Sequence, residues 1–408
     1  MRNLFKLTSC SLIAATAMYA GGYKIPETST NAVALGAANI AHNHNNADAA
    51  YYNPAKMIFM SDKNHIEADL IYIGLDKVNY KGTVNGTATN ENSESESFII
   101  PSLHYVSSKL GENNTRVGVS VVVPAGLSKR WNGPQGIKKA QEFTLEIIEI
   151  NPTVAYQISE NAGFAVGLRA VYSSGIVKNM AAASRDMSGD DLNLGFNLAF
   201  AYQPTKEVEL GVTYRSKVNL DEEGNAKLNI GKARVYDGGA SVTVPLPATL
   251  SFAAAYTFES DTTVEFVYER TYWSAYKSLD FNYVSPITPI LVAPFDDPIT
   301  KDWSDTNTFR LGVTHTFSNF TLMGGFVYDE SPIPNKTTGF ELPGSDSTAL
   351  SLGGRYQINE QMDIGFSALY SMHESRSLSA TDLNDNGLIG EFSDGNVLIL
   401  SAGLGYKF

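Results

Sequence analysis

The chain ends in Leu398-Ile399-Leu400-Ser401-Ala402-Gly403-Leu404-Gly405-Tyr406-Lys407-Phe408. Leu398, Leu400, Ala402, Leu404, Tyr406 and Phe408 fall on one face, and Ser401, Gly403, Gly405 and Lys407 fall on the other. A period of two over ten or so residues marks a strand with one apolar face. The same pattern recurs upstream. Ile364, Phe366, Ala368 and Tyr370 oppose Asp363, Gly365 and Ser367; Phe309, Leu311, Val313 and Phe317 oppose Arg310, Gly312, Thr314 and Thr316. Leu192, Leu194, Phe196, Leu198 and Phe200 oppose Asn193, Gly195 and Asn197. The second faces hold glycine, amides and charge, and are expected to be solvated.

Connections between these strands alternate in length. Short polar turns fall near 108–115, 158–163, 203–206, 258–262, 317–320 and 357–362. Long segments fall near 76–96, 124–145, 178–190, 222–240, 284–303, 331–346 and 374–394. Six short links and seven long ones give about 14 strands, with both chain ends on the short-turn side. That is the arrangement of an all-β, transmembrane antiparallel β-barrel, apolar outward and polar inward. A soluble sandwich would not fix this alternation of turn lengths, and a propeller would show a sequence repeat. Tyrosines near strand ends, among them Tyr72, Tyr256, Tyr356, Tyr370 and Tyr406, suit interfacial girdles.

Composition agrees. The 408 residues are 43% hydrophobic and only 18% charged, with 34 Gly, 21 Tyr and 20 Phe. There are 43 acidic against 30 basic residues, a formal charge of −13, which excludes a basic nucleic-acid binder. Membrane helices would need apolar runs of roughly 18 residues or more, and none is present.

Residues 1–20 read as a secretory signal peptide: Arg2 and Lys6, then an apolar stretch from Leu7 to Met18, then Ala20 before Gly21. Leu7-Thr8-Ser9-Cys10 matches a lipoprotein site only superficially, because no apolar region precedes it. Cys10 is the one cysteine, so the secreted chain is expected to hold no disulfide or thiol ligand. Residues 21–60 do not alternate and cannot form a spanning strand. Their small residues, with Tyr23, Ile25, Val33, Leu35, Tyr51, Tyr52 and Met57, are expected to pack as a hatch inside the lumen, with 61–408 forming the barrel. A plugged barrel implies a gated or ligand-specific route.

These residues resemble a known family, the FadL-type (OmpP/TodX-like) outer-membrane transporters of hydrophobic compounds. Gly21-Gly22-Tyr23 and the run from Asn46 to Ala55, with its Asn53-Pro54-Ala55 turn, are similar to that family's hatch. Tyr214-Arg215-Ser216, Leu246-Pro247, Trp273-Ser274, the run from Val327 to Pro334, Leu342-Pro343 and Asp346 are similar to motifs of its later strands and loops. The resemblance implies passive uptake of long-chain fatty acids or aromatic hydrocarbons across the bacterial outer membrane. It also implies capture among the outer loops, movement of the hatch at Asn53, Pro54 and Ala55, and lateral release through a gap at a kinked strand. Tyr23 corresponds to an aromatic of the family's hatch and is a candidate ligand contact.

Leu127 and Trp131 in the second outer loop, with Met180 and Met187 in the third, are candidates for a capture groove. Strand parity points Arg169, Arg215 and Arg310 inward, either toward a ligand carboxylate or toward lumen acids such as Glu209 and Glu265. After Ala170-Val171-Tyr172, where the family's best-known members carry basic residues, this chain has Ser173-Ser174-Gly175, which leaves neutral compounds open. Asp382, Asn384 and Asn386 have the spacing that opens a calcium loop, but position twelve is Ser393 rather than glutamate. His42-Asn43-His44 reads as a polar bend. No catalytic triad or cofactor motif stands out, so neither an enzyme nor a cofactor is expected. The expected partners are a hydrophobic small molecule and outer-membrane lipid or lipopolysaccharide around a monomer, with no nucleic acid. A porin-like channel for hydrophilic solutes and an outer-membrane enzyme or adhesin acting through long loops are the alternatives.

Overall fold

The computed structural model describes residues 22–43, 45–111 and 114–408. The leader read over residues 1–20, Cys10 within it, and His44 of the polar bend lie outside the described residues. Fourteen antiparallel strands form a closed barrel: β1 His65–Leu75, β2 Glu96–Val106, β3 Arg116–Val122, β4 Glu142–Ser159, β5 Ala162–Met180, β6 Ala183–Tyr202 and β7 Val208–Arg215. They continue as β8 Thr249–Thr257, β9 Thr262–Thr271, β10 Thr306–Thr316, β11 Phe320–Asp329, β12 Ser347–Gln357, β13 Met362–His373 and β14 Val397–Lys407. The wall closes where β14 pairs with β1, from His65 opposite Lys407 to Leu75 opposite Val397. Closure pairs the backbone of both end strands, which the hydrocarbon core requires.

The alternation becomes an inside and an outside. Along β14, Leu398, Leu400, Ala402, Leu404 and Tyr406 are exposed while Ile399, Ser401, Gly403 and Gly405 are buried. Leu350, Leu352 and Phe366 likewise stand on the outer surface. The short turns form locally: Asn359 Oδ1 accepts the backbone amides of Gln361 and Met362, closing the β12–β13 connection.

Two segments read as loops are strands. Residues 178–190 continue β5 and β6 upward, and 222–240 lies in a hairpin of Val218–Ile230 with Ala233–Leu246, whose first strand pairs with β6 from Ile230 opposite Ala183 to Glu223 opposite Asp190. Above the hydrocarbon a strand has no lipid side, so polar residues such as Asp186 and Asp190 stand outward and the period-two signal fades, though the backbone pairing continues. Further loop strands, Val78–Val84, Thr87–Asn92, Arg376–Leu378 and Leu388–Asp394, join in a four-stranded sheet.

The inner face differs from the solvated surface expected of it, because residues 22–60 pack against it. Helix α1 Thr30–Leu35 is capped by Ser29 Oγ, which accepts from the Ala32 amide, and ends at Gly36. Helix α2 Ala49–Tyr52 follows, then a 3-10 turn, Pro54–Phe59. Wall glycines permit the approach: a Cβ at Gly325 would lie 2.4 Å from the Leu35 carbonyl carbon, and one at Gly353 would lie 2.6 Å from the Ala34 methyl. Hydrogen bonds tie the segment to several strands. The Thr30 amide donates to Asp69 Oδ1 of β1 (3.0 Å), its hydroxyl meets Ser401 Oγ of β14 (2.7 Å), and its carbonyl accepts from Ser367 Oγ of β13 (2.9 Å).

Candidate functional site

The first described residues pair with a break in the wall. β3 ends at Val122, and Pro124 lacks the amide that would continue the ladder. β2 pairs with β3 only from Leu103 opposite Val121 to Val106 opposite Gly118, although its other edge pairs with β1 along its whole length. Among the described residues the upper part of β2 therefore has no ladder partner on the β3 side. The chain resumes at Gly126–Lys129, which pairs with β4 instead. Into this break the N-terminal segment inserts: the Ile25 amide donates to the Pro124 carbonyl (2.9 Å), and the Gly126 amide donates to the Tyr23 carbonyl (2.8 Å). Above it, Glu96 of β2 accepts from Arg130 and Ser128.

Tyr23 and Lys24, neighbours in sequence, face different spaces. Tyr23 is buried edge-on against Trp273 (centroids 4.7 Å apart), lies near Trp303 and Tyr276, and donates its hydroxyl to the Pro245 carbonyl. With Leu127, Leu145, Val177, Met187, Val244, Leu279, Phe281, Trp303 and Leu342 it lines an apolar chamber among the long loops. Three charged side chains border that chamber: Glu222, and Lys301 paired with Glu341. Burial pushes the Glu222 carboxyl up to about 7.

Below Tyr23, Lys24 lines a polar basin with Tyr51, Tyr52, Pro124, Arg169, Arg215, Glu269 and Arg310. Here the three expected arginines meet, each already paired. Arg169 and Arg215 share Glu149 of β4, and Arg310 and Lys24 share Glu269 of β9. The guanidinium of Arg215 also stacks on Tyr51, 4.2 Å from the ring centroid. Their partners are not the acids expected. Glu209 holds Lys56 and His42, and Glu265 accepts the amides of Ile40 and Ala41, both at 2.7 Å. The N-terminal segment has taken those carboxylates, leaving acids on β4 and β9 for the arginines.

The other candidates divide. Leu127 and Met187 line the chamber; Trp131 and Met180 do not. Trp131 is fully buried beneath the loop sheet, where it donates to the Phe340 carbonyl (2.8 Å) and packs on Phe340 and Phe392. Met180 stands exposed at the tip of β5. Asn53 Oδ1 accepts the Ala55 amide, and its Nδ2 donates to the Ile40 carbonyl (3.0 Å) and the Phe200 carbonyl of β6 (3.3 Å), so the Asn53-Pro54-Ala55 turn is tied both to its own segment and to the wall. In the 382–386 loop, Asp382 binds Ser379 and Asn335, and Asn384 Oδ1 accepts the Asn386 and Leu388 amides. The Asp382 carboxylate and the Asn384 Oδ1 thus accept from neighbouring side chains and backbone amides in this loop. Glu222, Tyr276 and Trp303 also line the chamber, and no sequence signal points to Glu222 or Trp303, which sit among charged and polar neighbours.

Comparison with known proteins agrees with this architecture. The chain is 22% identical to the long-chain fatty acid transport protein of Escherichia coli O6:H1, over 96% of each chain. It superposes on a Pseudomonas aeruginosa FadL homologue with a TM-score of 0.79 at 19% identity, covering 95% of this chain and all of that one. On the Ralstonia pickettii toluene transporter TbuX the TM-score is 0.72 at 16% identity, covering 93% of this chain and 98% of that one. Residues 11–408 match the outer membrane protein transport protein family (OMPP1/FadL/TodX), and the chain belongs to that family of outer-membrane β-barrels.

Proposed function

We propose that this chain carries hydrophobic small molecules passively across the outer membrane, working as a monomer within outer-membrane lipid or lipopolysaccharide. The relatives carry names that refer to long-chain fatty acids and toluene, and the ligand here belongs to the same broad class. The supporting observation is the contact of Tyr23 with both the apolar chamber and the break at Pro124. A ligand desolvated in the chamber leaves through the wall between β2 and β3 when residues 21–60 act as a hatch and shift. Sideways release keeps an apolar molecule out of the charged basin and returns it to lipid without crossing water.

The test targets the Asn53-Pro54-Ala55 turn. Replacing Asn53, Pro54 and Ala55 by Gly-Ser-Gly removes the side chain that ties the turn to Ile40 and Phe200. Uptake of hydrophobic substrate by cells expressing equal amounts of folded protein should fall several-fold; unchanged uptake would sink the gating role. Purified protein in liposomes should pass hydrophilic sugars slowly, and rapid sugar flux would favour the porin alternative.

A further inference from the structure

The chamber wall carries one acid that the route above does not use. Glu222, on the loop strand Val218–Ile230, is 1% exposed and borders the apolar space. Neither of its carboxylate oxygens meets a donor in hydrogen-bonding geometry. The Ser173 hydroxyl and the Gly175 amide face it, and Ser173 Oγ is itself buried without a hydrogen-bond partner. A side chain at position 175 would begin 3.8 Å from the Glu222 carboxyl carbon, so glycine keeps that flank open. The remaining charged pair of the lining, Lys301 and Glu341, is satisfied internally. A ligand's polar end therefore meets an acid short of donors, and among the described lining residues it meets no cation free to bind it.

A buried acid that lacks donors is costly, and a ligand group that donates into it removes that cost. A ligand carboxylate does the opposite, adding a second negative charge where the dielectric is low and repulsion strong. Asp190 and Asp191 lie near enough to add to the negative potential. We infer that Glu222 is a specificity-determining residue, which selects hydrophobic ligands ending in a neutral hydrogen-bond donor, an alcohol or phenol hydroxyl, over long-chain carboxylates. The inference rests on the transport reading of this chamber and narrows its substrate class.

The experiment is equilibrium binding of radiolabelled dodecanol and dodecanoate to the full chain in nanodiscs, corrected for partition into empty discs. It is run at pH 8.5, where both Glu222 and the fatty acid are ionised. The wild type should bind dodecanol at least about tenfold more tightly than dodecanoate, the scale of one hydrogen bond to a charged group. Glu222→Gln should keep dodecanol binding and tighten dodecanoate binding about tenfold; Glu222→Leu should lose the preference through weaker dodecanol binding. Folding of each variant is checked by its heat-modifiable migration. Dodecanoate bound as tightly as dodecanol by the wild type overturns the inference, as does a ratio unchanged in both folded variants. If a variant does not fold, the wild-type ratio alone decides. Binding of neither compound overturns the transport reading itself, and with it this inference.

Discussion

The chamber above Tyr23 and the basin below it adjoin along one short segment, yet they solve opposite problems. The chamber is walled by aliphatic and aromatic side chains, with its charges at the border. The basin is built from Arg169, Arg215, Arg310 and Lys24, each held by Glu149 or Glu269. An apolar molecule gains by entering the first and would lose by entering the second, where ion pairs would have to be separated. The contrast teaches that the lumen is not a continuous path for a hydrophobic ligand. The break at Pro124 lies where the two chemistries meet, which is where the proposed route turns sideways.

Four substitutions or conditions bear on that contrast. The largest effect is expected in the basin: Glu149→Gln leaves two lumen arginines facing each other without their shared partner, and should cost roughly 3–5 kcal/mol of barrel stability. Urea unfolding of the reconstituted protein measures this; ligand binding in the chamber should survive in the fraction that folds. Next comes the chamber, where Leu145→Asp places a charge in the apolar wall. Ligand affinity should fall about tenfold or more in the fraction that folds. A pH effect on stability belongs beside these. Burial raises the Glu222 carboxyl to about 7, so the folded state holds its proton more tightly than the unfolded chain does. Stability is therefore greatest below the unfolded value and declines as pH rises toward 7, by about 3 kcal/mol in all, and levels off above it. Glu222→Gln should flatten that slope, and a slope that stays the same in the variant would assign it to other groups. The smallest effect is at the boundary: Pro124→Ala restores a backbone donor in the break and should slow uptake roughly threefold, measured against wild type at equal surface expression.

The barrel was legible because lipid enforces period two on every crossing strand, and the C-terminal run from Leu398 to Tyr406 shows it without interruption. The count survived even where two loops proved to be strands, since the pairing of 183–190 with 223–230 adds height to the wall and no new crossing. Lumen contacts were less legible. Parity correctly turned Arg169, Arg215 and Arg310 inward, but choosing Glu149 over Glu209 depends on barrel stagger and on which acids residues 22–60 occupy. Glycine on the inner face reads as a mark of water, yet Gly325 and Gly353 mark the close approach of α1. Loop side chains were least legible, since Trp131 and Trp303 both sit in irregular stretches, and only three-dimensional packing puts Trp303 on the chamber and Trp131 under the loop sheet.

The contacts of Thr30 bear on how such a molecule can be assembled. This residue touches β1, β13 and β14 at once, so it lies across the seam where the first and last strands meet. Strand β14 is made some 300 residues after β1, and its pairing is the slowest contact for the chain to find by diffusion. A helix already docked on β1 would present Thr30 to the arriving Ser401 and act as a latch for the last step of biogenesis. The N-terminal segment would then be a folding aid before it is anything else, and its loss would show first as barrels left unsealed.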